Sequence, residues 1–488
     1  MTSSVEIVLF PKRALVGLVC GFLSAAALAH PVIDDSPTRV QTSLRVPLRQ
    51  VGTLRPKSVA GVEASRWTLD CGGMDSEFAD WRAVREYVAP LGISRIRLQA
   101  GWTRCEKGSG AYDFAWLDQI VFDAAKMGVK VWMELGGGGR GIPTAPERLA
   151  AWDRWVERMA RRYNGVIDDW CVWSEPGNVP AAAADFAIRT AEIVKREIPD
   201  ASVTAVALSR ADVAFVEPFA KALAARGKAA LFTSVAYRHD TANPDDGYEE
   251  VERCRALLAQ YAPNLKLWEV EGGARSEWDG TGALGRLPWS ELVQAKYVLR
   301  RTLGDLGHGD DTDVFHICDL DCRTDGSLDG LVRCGLVKTT GQADGFRVLK
   351  VKTAYYAVQN AVSVFNDSLR CLDRRTTSTV SGLSRGYVCD WKAVRDGTPV
   401  VVFWDASGMP SDRNEARTVE VRVKGVPLPD PVWTDVLTGD VYAIPQDSIR
   451  GRGDWTAYVV PAYDSPVFIT SARLLDTVES RYERSGQK

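Results

Sequence analysis

The chain has no strong excess of charge of either sign. Its 488 residues carry 60 basic and 63 acidic side chains, for a formal net charge of −3. A broad basic face for a phosphate backbone is therefore not expected, and nucleic acid is not an expected partner. Histidine is scarce, with four in the chain, and the ten cysteines include no Cys-x2-Cys pair. The nearest approach to a zinc set is Cys318, Cys322 and Cys334 with His316, whose spacing does not match one. The dense glycine run Gly136-Gly137-Gly138-Gly139-Arg140-Gly141 has neither the dinucleotide fingerprint nor the Lys-Ser/Thr pair of a phosphate cradle, and it reads as a close-approach loop. No cofactor and no metal are expected. After the first 28 residues no apolar run is long enough to span a bilayer.

What is present begins with a targeting pattern. Lys12 and Arg13 precede an apolar run over residues 14–28, and Ala27-Leu28-Ala29 has the small-x-small form of a signal-peptidase site. Residues 1–29 are expected to be removed, leaving a secreted or periplasmic chain that starts at His30 and does not associate with membrane. Cys20 follows Val19, which argues against a lipid-modified amino terminus. Its loss leaves nine cysteines, so at least one stands outside any intrachain pair. Disulfides suit an oxidising compartment. Cys371 with Cys389, and Cys71 with Cys105, are the expected partners.

From about residue 63, short apolar runs alternate with helical patterns, the mark of a parallel sheet with crossover helices. Eight strands are expected at 66–69, 94–98, 129–135, 170–173, 202–208, 231–235, 265–270 and 312–317. Helices are expected at 80–88, 114–127, 151–163, 182–196, 212–225, 248–260 and 290–306. Eight units in this length match an α/β fold of the closed (β/α)8 TIM-barrel type over 63–360. An open doubly wound sheet would call for a glycine fingerprint after its first strand. Beyond the barrel the period shortens to two, with Val419, Val421 and Val423 alternating, and Gly, Pro and Asp separate the runs. Residues 361–480 are therefore expected to form an accessory all-β sandwich. Residues 30–62 are an extended segment that can pair with it, and 481–488 read as a flexible tail.

The chemistry is expected at strand ends. The run Trp170-Cys171-Val172-Trp173-Ser174-Glu175-Pro176 ends on an acid, and so does Leu267-Trp268-Glu269-Val270-Glu271-Gly272-Gly273. Carboxylates at the C-terminal ends of two buried strands stand where barrels keep their active sites. Two of them are the minimum apparatus for cleaving a glycosidic bond. Glu175 is the expected acid/base, with Trp170 and Trp173 partly desolvating it and raising its carboxyl toward a useful range. Glu271 is the expected nucleophile. Glu269 shares a strand face with it and is either the alternative nucleophile or a hydrogen-bonding partner. Arg97 and Glu134, at the ends of the second and third strands, either orient Glu271 and contact substrate or form a salt bridge inside the barrel. Asp319 and Asp321 follow the eighth strand and are read as ligands of sugar hydroxyls or as surface acids. Trp102 and Trp289, among sixteen tryptophans, are the expected stacking faces for a sugar.

The run Gly101-Trp102-Thr103-Arg104-Cys105-Glu106, the run Gly110-Ala111-Tyr112-Asp113-Phe114, the motif Trp173-Ser174-Glu175-Pro176, the motif Trp268-Glu269-Val270-Glu271-Gly272-Gly273 and the run Lys352-Thr353-Ala354-Tyr355-Tyr356 together resemble a retaining glycoside hydrolase of clan A. The resemblance is nearest to the family 39 branch of β-xylosidases and α-iduronidases and its neighbours. It implies a carbohydrate substrate, poly- or oligosaccharide, and double displacement with retention. It also places Tyr237 and His239, after the sixth strand, along the glycone pocket. Where such enzymes have Asn-Glu-Pro, this chain has Ser174-Glu175-Pro176; the Asn meets the sugar 2-hydroxyl in the family, so Ser174 is a candidate substrate contact. The same Ser174, with the attached sandwich, motivates the alternative of a catalytically inactive carbohydrate-binding barrel. No oligomeric state follows from the sequence.

Overall fold

The computed structural model describes residue 40 and residues 42–478, apart from 63, 109, 137–140, 279–283, 323–329, 373–376 and 426. The leader at 1–29, the glycines 137–139 with Arg140, and the tail at 481–488 lie outside the described residues.

Eight parallel strands form the barrel. They are β1 (Trp67–Asp70), β2 (Arg95–Gln99), β3 (Lys130–Glu134), β4 (Asp169–Cys171), β5 (Ser202–Leu208), β6 (Ser234–Tyr237), β7 (Lys266–Glu269) and β8 (Thr312–Val314). Each pairs in parallel with its sequence neighbour from β1 to β7. β8 returns to pair with β1. The seam between β7 and β8 is drawn together by bridges Trp268–Asp311 and Gly273–Phe315. The eight units expected from the sequence are present. The sixth strand begins later than its apolar run suggests, because Ala229–Leu231 closes a 3-10 turn first.

Helices cover the outside. Pro146–Tyr163 buries Trp152, Trp155, Val156, Met159, Ala160 and Tyr163, the face its spacing predicts. It starts earlier than expected, on Pro146, whose missing N–H costs nothing in the first turn. Each large apolar side chain so buried contributes roughly 1.5–3 kcal/mol. The first crossover is two short turns, Trp81–Val84 and Val88–Leu91, ended by Gly92 at φ 88°. The last helix, Thr353–Val364, leads out of the barrel.

The remaining strands form two antiparallel sheets. One has eight strands and includes Gly386–Ala393, Pro399–Asp405, Pro431–Asp435 and Val467–Ser471; the other has four, centred on Arg417–Lys424 and Trp455–Ala462. Alternate side chains of both, including Val401, Phe403, Trp433, Val419, Val421 and Tyr458, meet in a core of their own, the arrangement of a β-sandwich. Arg49–Leu54, which precedes the barrel, pairs antiparallel with Asp440–Ala443 in the larger sheet. The first strand among the described residues thus belongs to the last domain.

Barrel and sandwich share an apolar core, in which Phe365 packs on Trp391 and Phe468, and polar groups pin the contact. Lys296, fully buried on Glu291–Gly307, donates to the carbonyls of Ser411 and Arg413 at 2.8 and 3.0 Å and to Asp464 at 2.6 Å. Arg300 Nε, one turn on, holds Asp245 at 2.8 Å, and Asp245 also accepts from the sandwich's Trp404 at 3.0 Å. Asn360 donates to the carbonyls of Val436 and Leu437. A buried charge stripped of its partner is costly. Replacing Lys296 by methionine removes the countercharge of Asp464 and a donor to two carbonyls, and is expected to lower stability by about 3–5 kcal/mol, measured as a shift of the denaturant midpoint against wild type.

Candidate active site

Side chains alternate along a strand, and this sorts the barrel residues into two layers. Trp132, Cys171, Ala207, Ala236, Trp268 and Val270 form a small cluster inside the barrel. Their strand neighbours, such as Met133, Trp170, Val235 and Leu267, join the larger core shared with the helices. Arg97 projects with the inner set, its guanidinium 5.8 Å from the Trp132 ring.

Arg97 is 1% exposed and is surrounded by carboxylates. Its Nε and Nη2 donate to Glu134 at 3.1 and 2.6 Å, and its Nη1 donates to Asp70 at 2.5 Å. Nη2 also donates to Glu271. Burial alone would strip Arg97 of its charge, but Glu134 and Asp70 hold its pKa above the usual value. Burial pushes Asp70 upward, yet Arg97, His316 and the Gly72 N–H keep it below the ordinary aspartate value. Asp313, buried on β8, is driven well above it by burial and by Asp70. Asp313 also accepts the Glu271 N–H at 3.2 Å.

Both candidate carboxylates sit on turned backbone. Glu175 has φ 51° and Glu271 φ 57°, two of five non-glycine residues in the left-handed region among the described residues. Such a conformation costs about 1–3 kcal/mol and collects at functional sites. The Glu175 N–H is tied to the Ala207 carbonyl at 2.8 Å. Glu271 lies two residues past the end of β7. There Gly272 leaves room for the Glu269 carboxyl, because a Cβ on it would stand 2.4 Å from Glu269 Oε1 and that carboxyl would have to shift.

The two glutamates share one cleft of about 420 Å³ at the C-terminal ends of the strands. Gly72, Gly73, Arg97, Gln99, Ser174, Arg238, Arg275 and Phe315 also line it. Arg238 links the pair: its Nη2 donates to Glu271, and its Nη1 lies 3.6 Å from Glu175. The Glu271 side chain is 11% exposed and that of Glu175 46%. Trp170 and Trp173 do not provide the expected desolvation of Glu175. Trp173 packs on Trp152 and Phe186 in the helical layer, and Trp170 turns its indole N–H to the Ile167 carbonyl.

Several expected site residues are placed elsewhere. Glu269 does not share a face with Glu271 in the cleft, because the strand ends at Glu269 and the backbone turns. Its fully buried carboxyl faces the outer layer, where burial and Asp305 push it well above the usual glutamate value. Tyr237 and His239 turn outward with it: Tyr237 donates to Asp310 at 2.9 Å, and His239 has Arg301 at 2.6 Å and the Asp246 carbonyl at 2.8 Å. Trp102 is buried against Trp152 and Trp155, and Trp289 is buried against Tyr297 with its N–H on the Leu284 carbonyl. Neither has a free face. The one exposed tryptophan among the described residues is Trp278, in the loop after β7. Asp319 and Asp321 are neither sugar ligands nor surface acids. Asp319 is buried against Lys352 at 2.6 Å, and Asp321 accepts the Gln342 N–H at 2.8 Å.

Sequence reasoning passed over Arg238, Asp70, Gln99 and Asp313. Arg238 was accessible through strand alternation: if Tyr237 and His239 face one way, Arg238 faces the other. Asp70 is the last residue of a strand expected to end one position earlier.

Among the described residues no group of three or more His, Cys, Asp or Glu is arranged to hold a metal, and both His316 ring nitrogens are engaged, Nδ1 accepting the Cys318 N–H at 3.2 Å and Nε2 facing the Gly72 carbonyl at 3.0 Å. Cys105 bonds the Ala100 carbonyl, while the neighbour of Cys71 is Cys318, so the expected pair is not brought together. The sulfurs of Cys371 and Cys389 lie 3.4 Å apart, in contact but beyond the length of a disulfide bond. Among the described residues no helix is long and apolar enough to cross a membrane.

No protein-family model matches the sequence, and no curated protein matches it. Solved structures do. A family 39 glycoside hydrolase from the gut symbiont Bacteroides cellulosilyticus WH2 superimposes with a TM-score of 0.58 at 15% identity, over 83% of this chain and 80% of that one. A GH30 endoxylanase from Clostridium papyrosolvens C71 and a glucosidase from Croceicoccus marinus each give 0.53, at 10% and 13% identity, over 88% of this chain and 99% of theirs. At these identities the shared property is the fold, a TIM barrel with an attached β domain.

His239 carries a pH signature. Burial, with Arg301 beside it, lowers its pKa from 6.5 to about 2. On acidification the unfolded chain takes up a proton that the folded chain refuses, so stability falls as pH drops below 6.5 toward 2. The slope from this one group is about 1.4 kcal/mol per pH unit. His239→Gln, which keeps a donor and an acceptor but does not titrate, is expected to flatten the decline in melting temperature between pH 6.5 and 4.5; an unchanged slope refutes the assignment.

Proposed function

We propose that this protein is a glycoside hydrolase acting on a polysaccharide or its oligosaccharides with retention, through Glu175 as acid/base and Glu271 as nucleophile. The supporting observation is the single guanidinium of Arg238 placed between these two carboxyls in one cleft. A glycosidic oxygen is a poor leaving group and needs a proton, while the anomeric carbon needs a nucleophile on the other side. The more exposed Glu175 suits the residue that protonates the leaving oxygen and later takes a proton from water. Glu271, enclosed and faced by Arg97 and Arg238, has the surroundings of an anion and suits the attacking group. The shared fold with glycoside hydrolases, including a family 39 enzyme, agrees with this assignment. Ser174, half-buried in the cleft wall beside Glu175, stands where it can meet a sugar hydroxyl.

On a panel of aryl glycosides, Glu271→Gly is expected to abolish turnover, with azide restoring it on an activated substrate of the matching sugar. Glu175→Gln should lower turnover of poor-leaving-group substrates by roughly 10²–10⁴-fold. Proton NMR of the first-formed sugar should show the anomeric configuration of the substrate; inversion would reject double displacement.

Export is part of the same proposal, with residues 1–29 removed by a signal peptidase. Intact mass and amino-terminal sequencing of secreted protein should place the new terminus at His30. In that oxidised product, non-reducing peptide mapping should recover Cys371 and Cys389 as one linked peptide pair, whose reduction costs about 2–4 kcal/mol of stability. Two free thiols there would exclude the link.

A further inference from the structure

Arg238 is the residue that hydrolysis of a neutral sugar does not account for. The glutamates on either side of it are the groups between which a glycosidic bond has to be placed, and its guanidinium stands in that space. Arg97 also binds Glu271, but it is 1% exposed and fastened to Asp70 and Glu134 as well, so it cannot withdraw. The Arg238 side chain is 31% exposed and, among the described residues, is held at its tip by the two glutamates. A bound sugar must therefore displace Arg238 from at least one of them. A hydroxyl offers a displaced guanidinium only a neutral acceptor, while a carboxylate or sulfate offers a charge-assisted, two-toothed partner of the kind it has left. Arg275 lines the same cleft and adds positive charge to its wall.

We infer that Arg238 is the specificity residue of this site and that the sugar it selects carries an anionic substituent, an oxyanion of carboxylate or sulfate type. This rests on the glycosidase reading of the cleft. In the empty site Arg238 screens the two glutamates from each other. In the occupied site it turns to the substituent and clears the position of the glycosidic bond. Neutral sugars of the same ring are disfavoured because they remove Arg238 from Glu271 without replacing the ion pair.

Titration calorimetry on the full-length mature protein tests this without requiring turnover. The probes are sodium D-glucuronate and D-galacturonate for the carboxylate source, D-glucose 6-sulfate for the sulfate source, and D-glucose, D-galactose and D-xylose as neutral counterparts. At least one anionic probe should bind about tenfold or more tighter than its neutral counterpart, and that advantage should shrink as salt rises from 20 to 500 mM. Arg238→Gln should erase the advantage and leave neutral-sugar affinity equal or higher, whereas Arg238→Lys should retain part of it, with circular dichroism confirming that each variant folds. Equal binding of anionic and neutral probes, binding of none of them, or an advantage that survives Arg238→Gln overturns the assignment. Turnover of neutral aryl glycosides without any anionic preference overturns it while leaving the glycosidase reading intact. Anionic binding that depends on Arg238, in a protein without turnover, upholds the inference and rejects the glycosidase reading.

Discussion

The site depends on a buried guanidinium. Arg97, enclosed by the barrel, is stable there only as an ion among ions, because an isolated charge in that position would be driven to neutralise or to unfold its surroundings. Three carboxylates from three different strand ends, Asp70, Glu134 and Glu271, converge on it. Each of these contacts fixes the register of one strand end against another. Asp313 bears on the same group from β8, through Asp70 and the Glu271 N–H. With β2, which carries Arg97 itself, five of the eight strands therefore meet at one electrostatic knot.

That knot explains why the cleft is polar far down and why Glu271 is held rigidly while Glu175 is not. Glu271 is fixed by two guanidiniums at its side chain and by Gly272, whose lack of a side chain admits the Glu269 carboxyl beneath the turn. Glu175 is fixed at its backbone, and its side chain is about half exposed. A nucleophile gains from preorganisation, whereas an acid/base must serve a leaving group and then a water. The two environments differ in the direction the proposed roles call for.

The sandwich is joined to the barrel by the same kind of chemistry at larger scale. Lys296 and Arg300 project from one barrel helix into polar receptors of, or shared with, the β domain, and Arg49–Leu54 returns the start of the chain to the last sheet. These directional contacts and the strand pairing act on top of the apolar core that the two domains share, and limit sliding across it.

The alternation of apolar runs and helical patterns was enough to determine the eight-stranded barrel and the β domain after it. Periodicity is a local property written into consecutive residues, and the burial of Trp152, Trp155 and Met159 follows from spacing alone. The strand-end rule likewise brought Glu175 and Glu271 forward as a pair. Which way a strand-end side chain points was decided only by tertiary structure. A single residue of register, or a turn to positive φ, exchanges cleft for core: it sent Tyr237, His239 and Glu269 to the helical layer and turned Arg238 inward. A sequence shows the flat rings of Trp102 and Trp289 but not the aromatic side chains that cover them. Burial of Asp319 against Lys352 joins residues 33 positions apart, and the Arg97 knot joins residues from 70 to 271. Such long-range pairings leave no periodic trace in the chain, since they exist only once the barrel closes and excludes water.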